Sequence, residues 1–498
     1  MMSCFGPNMY ANSRNYNYYS GYAKVSFEGF INENYFLVKN QEKNLIQNLE
    51  ITHAVTKNPF TYKKDAFIGL FLKSKYDGIG KRNPIDISVA LDISGSMSGS
   101  RINLAKKSLQ KLISIMDEKD DKMSLITFNH ETQKIFGLLD KNEIEKKFLH
   151  DLDAIKAGGG TDLVGALELA MSNINNNNEN LDDKKEKRIV MITDVEYDDN
   201  DNELLKLFKK CVEEKNISIT IIAISSESNI SLANKVSHFK GCNYFPITKT
   251  EELEDYLVKN FNYIFFPIAH ETKLTIKSEN ATILKCIGAD YEISDEYDYE
   301  NKAEKSPKPS KEITFEFGSA FSSELIKIKN NENNELLYSK GGLLLLKINP
   351  DDLNKNENLN FDFNFEYISI DGKKICQNYS YIIENKKEEK EINYFKDNNV
   401  RKGISIYYFC IILNHIVETL KNGLKNKKDE IKKKKDLKLL ETKQVVREYL
   451  NNNFIIEPNN QETIDNLNNY LEMIEERYSG YKKSIYSFYN LDSAPLPY

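Results

Sequence analysis

The sequence predicts an α/β fold, a doubly wound and mostly parallel sheet, that is inserted in a β-sandwich and followed by an α-helical C-terminal region. Between residues 84 and 266, short apolar runs alternate with segments of helical periodicity. This alternation is typical of parallel strands that are covered by helices on both faces. Strand-like sequence lies on both sides of that stretch, and apolar residues spaced by three and four positions dominate the end of the chain.

The same patterns divide the 498 residues into five parts, in keeping with a chain too long for one hydrophobic core. We expect residues 1–22, rich in Asn and Tyr, to be disordered, and residues 23–83 to form the first part of the sandwich. Residues 84–266 are the predicted α/β domain. Residues 267–388 are expected to complete the sandwich, and residues 389–498 to form a helical domain.

Five nearly continuous apolar runs predict the strands of the α/β domain: residues 85–93, 123–128, 189–193, 217–224 and 244–247. Between the first two runs, apolar residues recur at the period of one helix face: Ile102, Ala105, Leu109, Leu112 and Met116. In the later sandwich, the strand-like runs are residues 272–277, 312–317, 343–348 and 360–368.

The helical region contains an apolar stripe with steps of three and four: Ile464, Leu467, Leu471, Ile474 and Tyr478. We interpret this stripe as part of a packed bundle, with a partner-docking helix as the alternative. The run Lys432 to Lys435 could contact anionic lipid or RNA. Acidic residues flank this run on both sides, which favours an exposed helical linker.

The bulk composition favours a cytoplasmic protein that neither binds nucleic acid nor spans a membrane. The net charge of −7 offers no global attraction to nucleic acid or anionic lipid, and no apolar run approaches the roughly 20 residues of a membrane span. The start of the chain lacks the apolar core of a secretory signal. Six scattered cysteines show no zinc-like spacing and indicate a reducing compartment.

The sequence DISGS, residues 92–96, follows the first predicted strand of the α/β domain. Asp92, Ser94 and Ser96 stand at alternate positions, so their side chains can converge as the chain turns at Gly95. Carboxylate and hydroxyl oxygens are the ligands that a hard cation such as Mg²⁺ prefers. Alone, the pattern is weak, because three fixed residues in five occur often by chance.

Two further elements strengthen the prediction of a metal site. A glycine-rich turn, residues 158–160, precedes Thr161, and Asp194 ends a later predicted strand. Ligands of open α/β sheets bind outside the carboxyl ends of the strands, which is where all three motifs fall.

On these three motifs, the sequence resembles a von Willebrand factor A domain with a metal-ion-dependent adhesion site, in an intracellular type of protein. The resemblance implies that Ser94 and Ser96 ligate Mg²⁺ directly, and Thr161 directly or through water, while Asp92 and Asp194 hold ordered waters. Mn²⁺ or Ca²⁺ could replace Mg²⁺. The sixth position would be left for a carboxylate of a protein partner.

One residue departs from the family pattern. The family usually has Gly after the last Asp, whereas Val195 follows Asp194 here. The alternative to a metal site is a set of Ser and Asp side chains that only cap helices.

The leading functional hypothesis is a metal-dependent protein–protein interaction module that is not an enzyme. The six histidines are scattered with no evident nucleophile beside them, and a site of hydroxyls and carboxylates is a poor generator of hydroxide. Two alternatives remain open. One is a structural subunit or scaffold of a larger complex with an idle metal site. The other is an adaptor in ubiquitin transfer, although the cysteine spacing excludes a zinc-bound RING.

Overall fold

The structure, a computed structural model, describes residues 36–39, 47–59, 61, 63–74, 82–117, 120–175, 185–194, 202–224, 236, 239–247, 252–288, 297–298, 303–304, 310–329, 335–369 and 371–425. Three predictions concern residues outside these ranges: disorder of residues 1–22, the role of the Lys432 to Lys435 run, and the apolar stripe that begins at Ile464.

The strands of the described residues are, in chain order, β1 (Phe36–Lys39), β2 (Gln47–Lys57), β3 (Lys64–Ser74), β4 (Ile85–Asp92), β5 (Lys122–Phe128), β6 (Thr132–Leu139), β7 (Glu186–Thr193), β8 (Ser218–Ile224), β9 (Asn243–Ile247), β10 (Pro267–Ser278), β11 (Ile283–Ile287), β12 (Tyr297–Asp298), β13 (Ala303–Glu304), β14 (Glu312–Phe321), β15 (Leu325–Lys329), β16 (Glu335–Gly341), β17 (Leu343–Ile348), β18 (Leu359–Ser369), β19 (Lys374–Ile383) and β20 (Tyr394–Phe395).

The α-helices of the same ranges are α1 (Ser100–Ile115), α2 (Lys141–Lys147), α3 (Leu149–Ala154), α4 (Leu163–Asn175), α5 (Asn202–Lys209), α6 (Glu252–Glu254), α7 (Phe261–Ile264) and α8 (Asn398–Lys425). Shorter 3₁₀ or π-helical turns are Gly95–Met97, Lys210–Glu214, Asp255–Lys259, Pro350–Asn354 and Glu388–Lys390. None of the helices in the described part of the chain has the length and hydropathy needed to cross a lipid bilayer.

A six-stranded mixed sheet forms the centre of the α/β domain, in the order β6-β5-β4-β7-β8-β9. All neighbours in it are parallel except β6, which runs antiparallel to β5. Every residue of β4 is buried, because apolar cores cover both faces of the sheet. Helix α1 packs on one face, and helices α4 and α5 pack on the other. The predicted doubly wound α/β sheet is therefore confirmed.

At the start of the α/β domain, Arg82 and Asp121 form an ion pair, here called the arginine clasp. Arg82 donates from Nη1 to Asp121 Oδ1 at 2.8 Å, and its Nη2 is paired with Oδ2. The guanidinium also lies over the rings of Phe261 and Phe266, with centroids at 5.0 and 4.9 Å. Asp121 is fully buried and accepts a further hydrogen bond from the backbone N–H of Ile85, so the clasp fixes the start of β4.

Strands from before the α/β domain pair with strands from after it. A five-stranded sheet has the order β11-β17-β3-β2-β20, in which β3 runs antiparallel to β17 with Phe71 opposite Leu343. A four-stranded sheet has the order β14-β10-β18-β19. Apolar residues from both sheets belong to one buried core, which includes Ile68 of the first sheet and Phe363 of the second.

Helix α8 begins at Asn398, later than residue 389, where the sequence placed the start of the helical region. The residues directly before α8 are not α-helical, because β20 pairs with β2 and Asn393 has a φ of 73°. Asp397 accepts a hydrogen bond from the Asn399 N–H at 2.6 Å, which caps the amino end of α8. Residues 402–411 of the helix are all buried.

Candidate metal site

The first two sequence motifs meet at the carboxyl end of β4. The Gly95 N–H donates to the Gly159 carbonyl at 3.0 Å, and the Gly158 N–H donates to the Ile93 carbonyl at 2.7 Å. These bonds join the turn that carries Ser94 and Ser96 to the glycine-rich turn that precedes Thr161.

Gly159 is required in this turn by its backbone conformation and by space. Its φ is +90°, and a Cβ there would lie 2.5 Å from the Nδ1 atom of His130. A side chain would therefore be strained and would collide with the imidazole. Glycine allows the two turns to approach each other.

Asp92 is the buried end of the site, with no exposed surface. Its Oδ1 accepts a hydrogen bond from the Ser94 N–H at 2.7 Å, and its Oδ2 accepts one from the Thr193 hydroxyl at 2.6 Å. Burial raises the pKa of Asp92, while the hydrogen bonds from Thr193 and Ser94 act in the opposite direction. The carboxylate thus fixes the turn that follows β4 and ties it to the end of β7.

A row of oxygen atoms leads from this buried carboxylate towards solvent. The Ser94 and Ser96 Oγ atoms are 3.0 Å apart, and the Ser96 hydroxyl donates to Asp194 Oδ1 at 2.8 Å. Ser94 is buried whereas Ser96 is exposed. Thr161 is also exposed, on the adjoining turn. The structure therefore links Asp92, Ser94, Ser96 and Asp194 by hydrogen bonds and brings the turn of Thr161 beside them.

The spacing of these oxygens fits a small divalent cation. Neighbouring ligands of an octahedral Mg²⁺ ion, each at about 2.0–2.1 Å, are about 2.9 Å apart. The Oγ atoms of Ser94 and Ser96, the two expected direct ligands, are 3.0 Å apart, close to that value, and the Ser96 hydroxyl lies 2.8 Å from Asp194 Oδ1, which would reach the ion through a water. The same distances suit the hydrogen bonds that join these atoms, so the hydroxyl protons must turn away for a cation to be held.

The alternative that these side chains only cap helices is not what the contacts favour. Ser94 precedes the 3₁₀ turn Gly95–Met97, but its side chain makes no capping hydrogen bond there. Asp162, by contrast, is a capping residue, since its Oδ1 accepts from the Gly165 N–H at the start of α4, at 2.9 Å. Within the described ranges, no group of three or more His, Cys, Asp or Glu side chains that could hold a metal is found, either here or elsewhere.

Two residues of the site were not predicted from the sequence. Thr193, the last residue of β7, orients Asp92. Arg101, in the first turn of α1, forms an ion pair with Asp194 Oδ2 and donates to the Ser96 carbonyl at 3.2 Å. The sequence feature that could have identified Arg101 is its position in the helix that directly follows residues 92–96. Val195, the departure from the family pattern, lies outside the described residues.

Comparisons with known proteins identify the α/β domain. Residues 86–259 match the family model of the von Willebrand factor type A domain. The uncharacterized protein sll0103 from Synechocystis sp. is 26% identical over 132 residues, which are 26% of this chain and 30% of that protein. The match therefore spans less than a third of the relative's length.

Two solved structures are similar to most of the chain. A von Willebrand factor type A protein from Catenulispora acidiphila is 10% identical, with a TM-score of 0.48. The match covers 84% of this chain and 89% of that one. The ArnB paralog VWA2 from Sulfolobus acidocaldarius is 14% identical with a TM-score of 0.38, and the match covers 86% of this chain and 98% of that one.

Proposed function

Because residues 86–259 form a von Willebrand factor type A domain, we propose that the protein binds an acidic residue of a protein partner through a divalent cation. Such domains commonly mediate protein–protein interactions. The residues proposed to hold the cation are Asp92, Ser94, Ser96, Thr161 and Asp194. The observation that carries the proposal is the pair of serine hydroxyls at the spacing of octahedral ligands, beside the carboxylate of Asp194.

Some residues of this site fix the turn in place, and others are exposed to a partner. Asp92 accepts hydrogen bonds from Thr193 and from the Ser94 N–H, so it fixes the turn that carries Ser94 and Ser96. Ser94 and Ser96 offer neutral oxygens, which leave a bound Mg²⁺, or Mn²⁺ or Ca²⁺ in its place, electron-poor enough to attract a carboxylate from outside. Ser96 and Thr161 are exposed, so a partner can reach this end of the site.

We propose a binding role rather than a catalytic one, because the ligand set consists of hydroxyls and carboxylates without the imidazoles typical of hydroxide-generating zinc. A cytoplasmic location is proposed as well. The thiols of Cys211 and Cys242 are buried and form no disulfide, which suits a reducing compartment.

The architectural part of the proposal is that the A domain is inserted in one β-sandwich. The antiparallel pairing of β3 with β17 supports it, as does the apolar core that the two sheets share. In this arrangement the sandwich holds both ends of the A domain, and the α-helical region that begins at α8 packs beside it.

A second candidate is a structural subunit of a larger complex whose metal site is idle. The observation that favours it is the state of Asp194, whose two oxygens are both satisfied within the chain by Ser96 and Arg101. A site closed in this way is stable without a cation.

Partner capture from cells separates the two candidates. The full chain, Asp92→Ala and Ser96→Ala are used as bait, with Mg²⁺ or with EDTA, and the recovered proteins are identified by mass spectrometry. Asp153→Ala is the matched control, because it removes an exposed carboxylate of the same domain in helix α3. We expect the main partner to be lost in EDTA and in both site variants, and to be retained by the control. Retention by both site variants in EDTA would favour the structural subunit.

A further inference from the structure

Arg101 places a positive charge beside the residues proposed to hold a cation. Its guanidinium pairs with Asp194 Oδ2, and the same Nη1 atom donates to the Ser96 carbonyl at 3.2 Å. The Asp194 side chain is 1% exposed, whereas that of Arg101 is 39% exposed. The charge on Asp194 is therefore compensated by a side chain that can move into solvent.

The position of Arg101 in its helix is unfavourable for a positive charge. It is the second residue of α1, and the amino end of a helix carries a partial positive charge that repels cations. The ion pair with Asp194 offsets that repulsion. Removing the guanidinium would leave a nearly buried carboxylate whose remaining hydrogen-bond donor among the described residues is the Ser96 hydroxyl.

We propose that Arg101 is a built-in competitor of the divalent cation. In the ion-free protein its guanidinium neutralises Asp194 and closes the site. When a divalent cation is held by Ser94 and Ser96, Arg101 leaves Asp194, because the two positive charges repel each other at so short a distance. This inference rests on the proposed metal site and adds that the chain sets its own affinity for the ion.

The proposal predicts opposite effects of one substitution in the two states of the protein. Arg101→Gln removes the charge but keeps a polar side chain. The ion-free variant should unfold at a lower temperature than the wild type, because Asp194 loses its compensating charge. The variant should bind Mg²⁺ at least tenfold more tightly, because the ion no longer has to displace a guanidinium. A residue with only a structural role would give the first effect without the second.

The experiment compares the full chain with Arg101→Gln and with Lys107→Gln, using calorimetric titration with MgCl₂ and thermal unfolding in EDTA and in Mg²⁺. Lys107 is the matched control, because it is exposed on the same helix about 9 Å further along its axis. We expect Lys107→Gln to change neither the affinity nor the unfolding temperature in EDTA. Ser96→Ala is included to show that the titrated ion occupies the proposed site.

Each result decides the question. Tighter Mg²⁺ binding by Arg101→Gln, with a larger Mg²⁺-induced rise in unfolding temperature than in the wild type, supports the competitor role. Equal or weaker binding, in a protein whose Ser96→Ala variant has lost the ion, overturns this inference and leaves the metal site standing. If neither the wild type nor Arg101→Gln takes up Mg²⁺, the metal site and the inference are both wrong.

Discussion

The clasp between Arg82 and Asp121 provides a test of how the A domain is held together, independent of its proposed metal site. Asp121 is fully buried and Arg82 is 16% exposed. Replacing Arg82 by Met keeps an unbranched apolar side chain beside Phe261 and Phe266 but removes the guanidinium above their rings and leaves the buried carboxylate without a counter-charge. Breaking a buried ion pair from one side typically costs about 3–5 kcal/mol.

The expected cost here lies at or just below the lower end of that range, because Asp121 keeps two backbone donors. These are the N–H of Ile85 at 3.1 Å and the N–H of Asp117 at 2.8 Å. A loss of about 2–3 kcal/mol in the free energy of unfolding follows. With an m-value of roughly 2 kcal/mol per M of urea, the unfolding midpoint of the domain should fall by about 1–1.5 M.

Urea unfolding followed by circular dichroism measures this shift, with Lys107→Met as the surface control that should change the free energy by less than about 0.5 kcal/mol. The affinity for Mg²⁺ should not change in Arg82→Met, because Ile85 and Asp92 lie at opposite ends of β4, about 23 Å apart. A midpoint shift no larger than that of the control would refute the assigned role of the clasp. A large change in Mg²⁺ affinity would contradict the independence of the two ends.

Three further predictions concern the site and the pH response. Replacing both Ser94 and Ser96 by Ala should abolish Mg²⁺ binding in calorimetry while circular dichroism shows an intact fold. The variant Gly159→Ala should lose about 1 kcal/mol of stability or more in urea unfolding and bind Mg²⁺ more weakly, because its φ of +90° strains any side chain. Burial, and then the charge of Lys396, lower the pKa of His53 to about 4. The His53 imidazole therefore binds a proton more readily in the unfolded chain than in the folded one. As the pH falls from 6.5 to 4, the free energy of unfolding should fall by up to roughly 3 kcal/mol. The variant His53→Gln should not show this loss.

The central strands of the A domain could be predicted because both their faces are buried. A strand such as β4 must then be apolar at nearly every position, which leaves an unmistakable run in the sequence. Strand β6 gives no such run, since most of its residues are only partly buried at the antiparallel edge of the sheet. The start of α8 was predicted too early because β20 is two residues long and is defined by its partner β2.

The proximity of Ser94 and Ser96 could be predicted from spacing, because alternate residues that leave a strand project to the same side. The Ser94 and Ser96 hydroxyls are indeed close to each other, and the Ser96 hydroxyl donates to Asp194. The roles of Thr193 and Arg101 depend on how β7 and α1 are placed beside β4, which no local pattern encodes. Thr193 is one more buried strand residue in the sequence, and Arg101 is one more polar residue of an amphipathic helix.

The central claim is that a divalent cation is held by Ser94 and Ser96, and anomalous diffraction tests it most directly. Crystals of the full chain grown with Mn²⁺, measured near the manganese absorption edge, should show an anomalous peak about 2.1–2.2 Å from the Oγ atoms of both serines, and this peak should be absent in crystals of the Ser94→Ala and Ser96→Ala double variant. No peak at this position in the wild type, with Arg101 still paired to Asp194 at saturating Mn²⁺, would contradict the account.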